Sequence, residues 1–258
     1  MNRILLIGGT GFIGSNVVKH FCEKYAVGQS RLFVLSRSRS VQAFELSNVE
    51  YILGDYKDVH FLDELFTEYN FDAVFHFVSA SVPISSNKEI LRDIQENLIS
   101  TVTLLETMQK HDCKFLLYLS SGGAVYGEFE GDVLEEEHPC APISSYGVVK
   151  LTIENYIKLY HKQSGLNYLI LRISNPYGPF HKSENQGVIN IALRKAIRKD
   201  TLSIWGSGVQ AKDYIYVEDI ARIIWLLIQK NIVNKTLNVG SGTVQSLNSI
   251  VLKIKVLL

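Results

Sequence analysis

Two short segments of this chain carry residue types that can do chemistry at the spacing they have. The first is Gly8-Gly9-Thr10-Gly11-Phe12-Ile13-Gly14, a G-x-x-G-x-x-G run between the apolar stretch Arg3–Ile7 and a helical pattern across Phe12–Tyr25. Glycines permit a tight turn there, let backbone N–H groups approach a pyrophosphate, and allow the helix to pack closely on the strand. The helix N-terminus then faces the anion. A lone glycine pattern also suits an ordinary strand-turn-helix connection, but its placement here points to dinucleotide binding. The second segment is Tyr146-Gly147-Val148-Val149-Lys150. Tyrosine and lysine at i and i+4 share one helix face. An ammonium beside a phenol favours phenolate and is expected to draw its pKa down from about 10 toward working pH. The pair is common by chance. Its position, one strand and one loop after Ser120-Ser121 and downstream of the glycine turn, selects it as a base and its partner.

Elements must place these groups, and the pattern supplies them. Short apolar runs at Arg3–Ile7, Arg31–Leu35, Glu50–Leu53, Ala73–Val78, Phe115–Leu119 and Tyr168–Ile173 alternate with helical stretches such as Ile90–Lys110 and Leu151–His161. Near-continuous apolar strands separated by helices predict an α/β fold, a doubly wound parallel sheet covered on both faces. The glycine turn makes it Rossmann-like. After Arg172 the rhythm changes: Asn175-Pro176-Tyr177-Gly178-Pro179 breaks regular structure. A helix around Val188–Arg198 and short runs near Leu202–Trp205 and Tyr214–Val217 predict a smaller C-terminal substrate lobe. The expected division is 1–175 for the dinucleotide domain, with a returning segment about 213–240, and 176–212 plus 241–258 for the lobe.

Composition excludes several classes. The chain has 258 residues, 26 basic and 26 acidic, with a 47% apolar fraction. It is long enough to bury a full core, and its balance is that of a globular protein. Zero formal net charge and the lack of a basic patch argue against a nucleic-acid partner. The apolar run Ile223–Ile228 is far short of the roughly 18 to 20 residues of a membrane span. Cys22, Cys113 and Cys140 share no metal-ligand spacing, so no metal is expected, and an odd cysteine count with no signal-peptide pattern predicts a cytoplasmic protein.

Together the segments resemble the extended short-chain dehydrogenase/reductase superfamily, and within it the nucleotide-sugar 4-epimerases of the UDP-galactose 4-epimerase type. The likeness runs through nearly the whole chain. It includes the glycine turn, Gly54-Asp55, Asn97, Ser120-Ser121-Gly122-Gly123-Ala124-Val125-Tyr126-Gly127, Tyr146 with Lys150, and Asn175-Pro176-Tyr177-Gly178-Pro179. It continues through Ile204-Trp205-Gly206, Lys212-Asp213-Tyr214-Ile215-Tyr216-Val217-Glu218-Asp219 and Leu237-Asn238-Val239-Gly240-Ser241-Gly242. The resemblance implies bound NAD and a UDP-sugar substrate. Tyr146 would take the proton of the sugar 4-hydroxyl while hydride leaves C4, and the 4-keto sugar would turn over and regain hydride on its other face. Cofactor contacts would come from Gly8, Gly11, Phe12, Ile13 and Gly14, from Ser36 and Arg37, and from Asp55 and Tyr56. The Phe77-Val78-Ser79 turn, Asn97, Ser120, Tyr146, Lys150 and Ile173 complete that set. Asp55 would accept from the adenine amino group, and Lys150 would hold the nicotinamide ribose. The sugar nucleotide would fall to Ser81, Gly122, Asn175, Val188, Ile189, Trp205 and Lys212.

Three departures qualify that likeness. The family usually places a Ser or Thr hydroxyl where this chain has Gly122, so Ser120, Ser121 or a water must hold the sugar oxygen, or Tyr146 acts alone. Sugar 4,6-dehydratases carry an Asp-Glu pair in this segment, whereas Gly123 and Ala124 have no carboxylate, which argues against dehydration. The second run ends Val34-Leu35-Ser36-Arg37, without the Asp or Glu that meets the adenine ribose in NAD-specific members, so NADP is the alternative dinucleotide. An NADPH-dependent 4-ketoreductase is therefore the alternative enzyme, and a dinucleotide-binding protein without efficient turnover the alternative from another class. Family members typically continue past Leu258 with residues for the nucleotide diphosphate, which leads to the expectation of normal dinucleotide binding and weak UDP-sugar binding. The likeness also implies a homodimer paired through helices across Ile90–Lys110 and Ser145–Ser164, with Ile153, Ile157 and Tyr160 as candidate seam residues, the alternative being that these three only face the sheet.

Overall fold

The computed structural model describes residues 1–24, 30–38, 48–81, 86–129, 133–204 and 206–257. Strand β1 (Arg3–Ile7) leads through the glycine turn to α1 (Phe12–Lys24), followed by β2 (Arg31–Ser36), β3 (Val49–Leu53), α2 (Val59–Tyr69) and β4 (Ala73–His76). The long helix α3 runs from Ile90–Asp93 through a π-helical turn, Ile94–Ile99, into Ser100–Lys110. Then come β5 (Phe115–Ser121), a one-turn helix α4 (Gly122–Val125), α5 (Ser145–Ser164) and β6 (Asn167–Ile173). Beyond these lie β7 (Asn175–Tyr177), α6 (Val188–Arg198), β8 (Ala211–Tyr216), α7 (Val217–Gln229), β9 (Lys235–Val239), β10 (Val244–Ser246) and α8 (Leu247–Leu257).

Seven strands form one sheet in the order β3-β2-β1-β4-β5-β6-β9, every neighbouring pair parallel. Strand order reverses between β1 and β4, and ligands of open α/β sheets bind outside the carboxyl ends of the strands at such a switch point. The six apolar runs read from the sequence are all strands of this sheet; β9 is the seventh. A second, three-stranded sheet orders β10-β8-β7. The run expected near Leu202 forms no strand among the described residues, and Trp205 lies outside them.

Side-chain alternation explains the layering. In β5, Leu116 and Tyr118 point into one core with Leu62, Phe66, Leu104, Met108, Ile153 and Ile157 from α2, α3 and α5. Phe115, Leu117 and Leu119 point into the other, against Val17, Val18 and Phe21 of α1 and Ile220 and Ile224 of α7. Period-two alternation is thus preserved even though both faces are apolar. Asp58 caps α2 by accepting from His60 N and Phe61 N, both at 3.1 Å, and Asn70 ends it in the left-handed region at φ 47°. Ser144 caps α5 through Gly147 N at 3.2 Å, and Gly165 closes it at φ 72°. These caps settle where the helix carrying Tyr146 begins and ends. A small third core of Ala192, Ile250 and Ile254 joins α6 to α8.

One expectation about faces is corrected. Ile153 and Ile157 are 1% and 0% exposed and belong to the sheet-facing core. The exposed apolar residues of α5 are Val148, Tyr156 and Leu159 instead.

Candidate active site

The glycine turn is built by close approach. Gly8 takes φ +89°, Gly11 N donates to Gly8 O at 3.0 Å, and Ser15 N to Gly11 O at 2.9 Å. A Cβ at Gly14 would lie 2.2 Å from Gly8 O, so only glycine lets α1 start this near the strand. Val78 packs against Gly8, and Phe77 N donates to Ile7 O at 2.9 Å, which sets the turn after β4 beside the glycine turn. Phe12 meets His181 edge-on, with ring centroids 4.8 Å apart. Residues 8 to 14, 36 to 37, 55, 77 to 79 and 121 all follow or end strands on one edge of the sheet.

Asn97 holds that edge together. It lies in the π-helical turn of α3, accepts from Ala80 N at 2.8 Å, and donates to Asp93 Oδ1 at 2.8 Å and Ser81 Oγ at 3.3 Å. Tyr56 does not open toward a ligand. Its buried side chain donates to Glu96 O at 3.1 Å and lies against His76, so only its backbone is free to serve. Asp55 accepts from Lys57 N at 3.1 Å, with Lys57 Nζ 3.8 Å from its other oxygen.

Tyr146 begins α5 and Lys150 follows one turn on. Tyr146 is half-buried, and Ser121 at the end of β5 stands close enough to its phenol to favour the ionised form. Lys150 is 5% exposed; its ammonium donates to Leu119 O at 2.8 Å and stands 4.7 Å from the Tyr118 ring centroid and 5.7 Å from that of Tyr146. The expected lowering of the phenol pKa is reversed in the protein by itself. Burial pushes Tyr146 up to about 12, only partly offset by the neighbouring Ser121, and the nearby Asp93 carboxylate adds to the rise. Burial likewise pushes Lys150 down to about 8, against the pull of Glu154 and Asp93. Desolvation wins because the ammonium spends its hydrogen bond on a carbonyl rather than on the phenol.

The two candidate serines part company. Ser121 lies by Tyr146 at the start of α5, whereas Ser120 meets the same helix two turns further on and donates to Glu154 Oε1 at 2.5 Å. Glu154 is fully buried and pairs with Arg172 in a fork: Nη2 to Oε2 at 2.8 Å and Nε to Oε1 at 3.1 Å. Arg172 Nη1 continues to the Tyr126 hydroxyl at 2.8 Å, and that hydroxyl donates to Asn238 Oδ1 at 2.7 Å. Sequence reasoning missed this network and Asp93, yet spacing held a signal for both. Glu154 is four residues beyond Lys150 on the Tyr146 face, and Asp93 four before Asn97. Asp93, 2% exposed, accepts from Ser81 Oγ and Ser145 Oγ, both at 2.7 Å, and so ties the turn after β4 to the start of α5. The Gly122 position is tight: a Cβ there would be 3.2 Å from Arg172 O. Gly123 has open space around it, and neither it nor Ala124 offers a carboxylate.

The residues expected to hold the sugar nucleotide are dispersed. Ser81 is engaged with Asp93 beside Tyr146. Asn175 Nδ2 donates to Asp213 O at 2.8 Å across β7 and β8. Ile189 packs into the α6–α8 core, Val188 starts α6, and Lys212 is exposed on β8. Ile173 is buried at the end of β6, opposite Ser121.

A dinucleotide turn, a switch-point edge and a Ser121-Tyr146-Lys150 grouping at the ends of β5 and α5 define an enzyme of the extended short-chain dehydrogenase/reductase class. The chain belongs to the NAD-dependent epimerase/dehydratase family, whose model matches residues 4–240. It is 32% identical over 257 residues to a UDP-glucose 4-epimerase of Halalkalibacterium halodurans, covering 93% of this chain and 75% of that protein. It is 29% identical over 255 residues to a dTDP-glucose 4,6-dehydratase of Neisseria meningitidis, covering 93% and 71%. Its fold is similar to the crystal structure of a UDP-glucose 4-epimerase of Thermotoga maritima with UDP-glucose, at a TM-score of 0.88 and 29% identity over 98% of this chain and 81% of that one. NAD is the cofactor of the family, and the side-chain-free cradle at Gly14 together with the buried Lys150 fits such a dinucleotide.

Proposed function

We propose that the protein inverts C4 of a UDP-hexose or UDP-N-acetylhexosamine through a 4-keto sugar. Bound NAD supplies a hydride acceptor and donor. The chain's own residues do the rest. Tyr146 removes the proton of the 4-hydroxyl and returns it after the sugar has turned. Ser121, beside that phenol, takes the place that Gly122 leaves without a hydroxyl. Lys150 places a positive charge beside the phenol and holds the nicotinamide ribose. The glycine turn cradles the pyrophosphate, and α6 with β7 and β8 offers the second lobe to the sugar nucleotide.

The observation that carries this reading is the grouping of Ser121, Tyr146 and Lys150 at one strand end, with no carboxylate at Gly123 or Ala124 to drive elimination of water. Dehydration needs an acid and a base on the sugar at once, and this segment holds neither. Incubation with NAD and either UDP-glucose or UDP-N-acetylglucosamine, followed by proton NMR, should show the C4 epimer. Absence of inversion with both sugars would overturn the proposal. A second reading, a one-way 4-ketoreductase, is favoured by the Ser36-Arg37 end of β2. Oxidation of NADPH by a 4-keto nucleotide sugar, with no epimer formed, would establish it instead.

A further inference from the structure

The end of β2 decides which adenine ribose the dinucleotide site admits. Where an Asp or Glu stands there, it binds the 2′-hydroxyl and repels a 2′-phosphate; where an arginine stands nearby, the phosphate is accommodated. In this chain Gly8 N donates to Leu35 O at 3.4 Å, so residue 36 is the first one beyond that contact, directly beside the glycine turn. It is Ser36, half-buried, with its hydroxyl donating to Ser38 O at 2.8 Å. Arg37 follows, exposed and without a salt bridge among the described residues. Its charge is felt at Tyr56 and Glu96, on the side of the sheet where the Gly54-Asp55 turn follows β3.

The described carboxylates of that neighbourhood, Asp55 and Glu96, are already engaged. Asp55 lies 3.8 Å from Lys57 Nζ. Glu96 is 3.0 Å from Arg92 Nε and 3.8 Å from Lys57 Nζ. What remains at residues 36 and 37 is a hydroxyl and a guanidinium that has no ion pair among the described residues. Guanidinium binds phosphate through paired, charge-assisted hydrogen bonds.

We infer that the adenosine end of this site accepts a 2′-phosphate, with Arg37 as its contact and Ser36 as the neutral residue that fails to exclude it, so that NADP binds as well as NAD. The inference rests on the glycine turn being the dinucleotide site. Loss of one charged contact to phosphate is expected to weaken binding about ten- to a hundredfold.

Titration calorimetry of the full chain, freed of any co-purifying dinucleotide, tests it with NAD and NADP separately. Wild type should bind NADP within about tenfold of NAD. Arg37→Ala should weaken NADP by about tenfold or more and NAD by less than about threefold. Ser36→Asp should weaken NADP by about tenfold or more while NAD is held at least as tightly, which also shows that the variant is folded. NADP weaker than NAD by more than about tenfold in wild type, or equal losses of both in Arg37→Ala, would overturn the inference while leaving the NAD site in place. Failure of both dinucleotides to bind wild type would overturn the reading of the glycine turn along with it.

Discussion

Tyr146 is the residue on which the proposed chemistry turns, and its surroundings decide how. Burial raises its pKa to about 12 in the protein alone, so the phenol is a weak acid that needs positive charge close by before it can work as a base. Lys150, kept 5.7 Å from its ring centroid, provides the chain's own part of that charge. Tyr146→Phe should lower epimerisation at least a hundredfold, about what losing a general base costs, with dinucleotide affinity unchanged in calorimetry. The two serines separate cleanly by readout. Ser121→Ala should cut turnover roughly tenfold or more with an unchanged melting temperature, because its hydroxyl serves the phenol. Ser120→Ala should spare turnover and instead destabilise the fold by about 1.5–3 kcal/mol in denaturant titrations, because it removes a buried hydrogen bond to the Glu154 carboxylate. If Ser120→Ala lost the greater share of activity, the assignment would be reversed.

At the scale of elements, the strand ends and the long helix α3 hold charge and polar groups in dense protein, and that has a pH signature. His76 closes β4 with its ring fully buried; Nε2 lies 3.0 Å from Thr101 Oγ1, whose own proton goes to Asn97 O at 2.6 Å. Nε2 must therefore carry the ring proton. Burial pushes the His76 pKa from 6.5 down to about 3, with Lys150 adding to the fall. Between those values the unfolded chain holds a proton that the folded chain refuses. The stability is complete above the unfolded value and is lost as pH falls. From about pH 7 to about pH 5.5 this one group should remove about 1.3 kcal/mol of folding stability. Lys150, pushed down only to about 8, is protonated in both states over that window and adds almost nothing to the slope. Urea titrations of wild type and His76→Gln at both pH values should differ in slope by that amount, whatever the variant's absolute stability. Parallel losses in the two proteins would show that other groups carry the acid sensitivity. The Glu154–Arg172 pair belongs to this scale too: removing either partner strands a buried charge at a cost of about 3–5 kcal/mol, so the pair ties α5, β5 and β6 into one unit behind the active-site edge.

At the scale of the whole molecule, α3 and α5 carry apolar residues that the sheet does not cover. Leu91 and Ile99 on α3 and Val148, Tyr156 and Leu159 on α5 are exposed. Positions 148, 156 and 159 recur at helical spacing, and the inward stripe of α5 is already used by Val149, Ile153 and Ile157. We propose that this outer stripe forms the twofold seam of a homodimer, the commonest oligomeric arrangement. Light scattering at tens of micromolar should give twice the chain mass, and Val148→Glu with Leu159→Glu should return the monomer with its dinucleotide affinity intact. A monomer in the wild-type protein would remove the seam.

The sequence by itself determined the features that depend on local spacing. Six of the seven sheet strands, the glycine turn, the Tyr146–Lys150 face and the serine pair were legible because apolar runs, steric demands and i, i+4 neighbours act over a few residues. Only the tertiary structure decided which way each polar group points. Ser120 turns to Glu154 and Ser121 lies by Tyr146 although they are adjacent, and since both neighbours sit on α5, two turns apart, alternation along the strand does not predict the pairing; the packing of the β5 end against that helix does. The same is true of Ile153 and Ile157, whose helical spacing suits a seam or a core equally until the sheet is in place. The direction of the Tyr146 shift was beyond the sequence for a related reason. Desolvation is a sum over every atom around the phenol, and no spacing of two residues along a helix contains it.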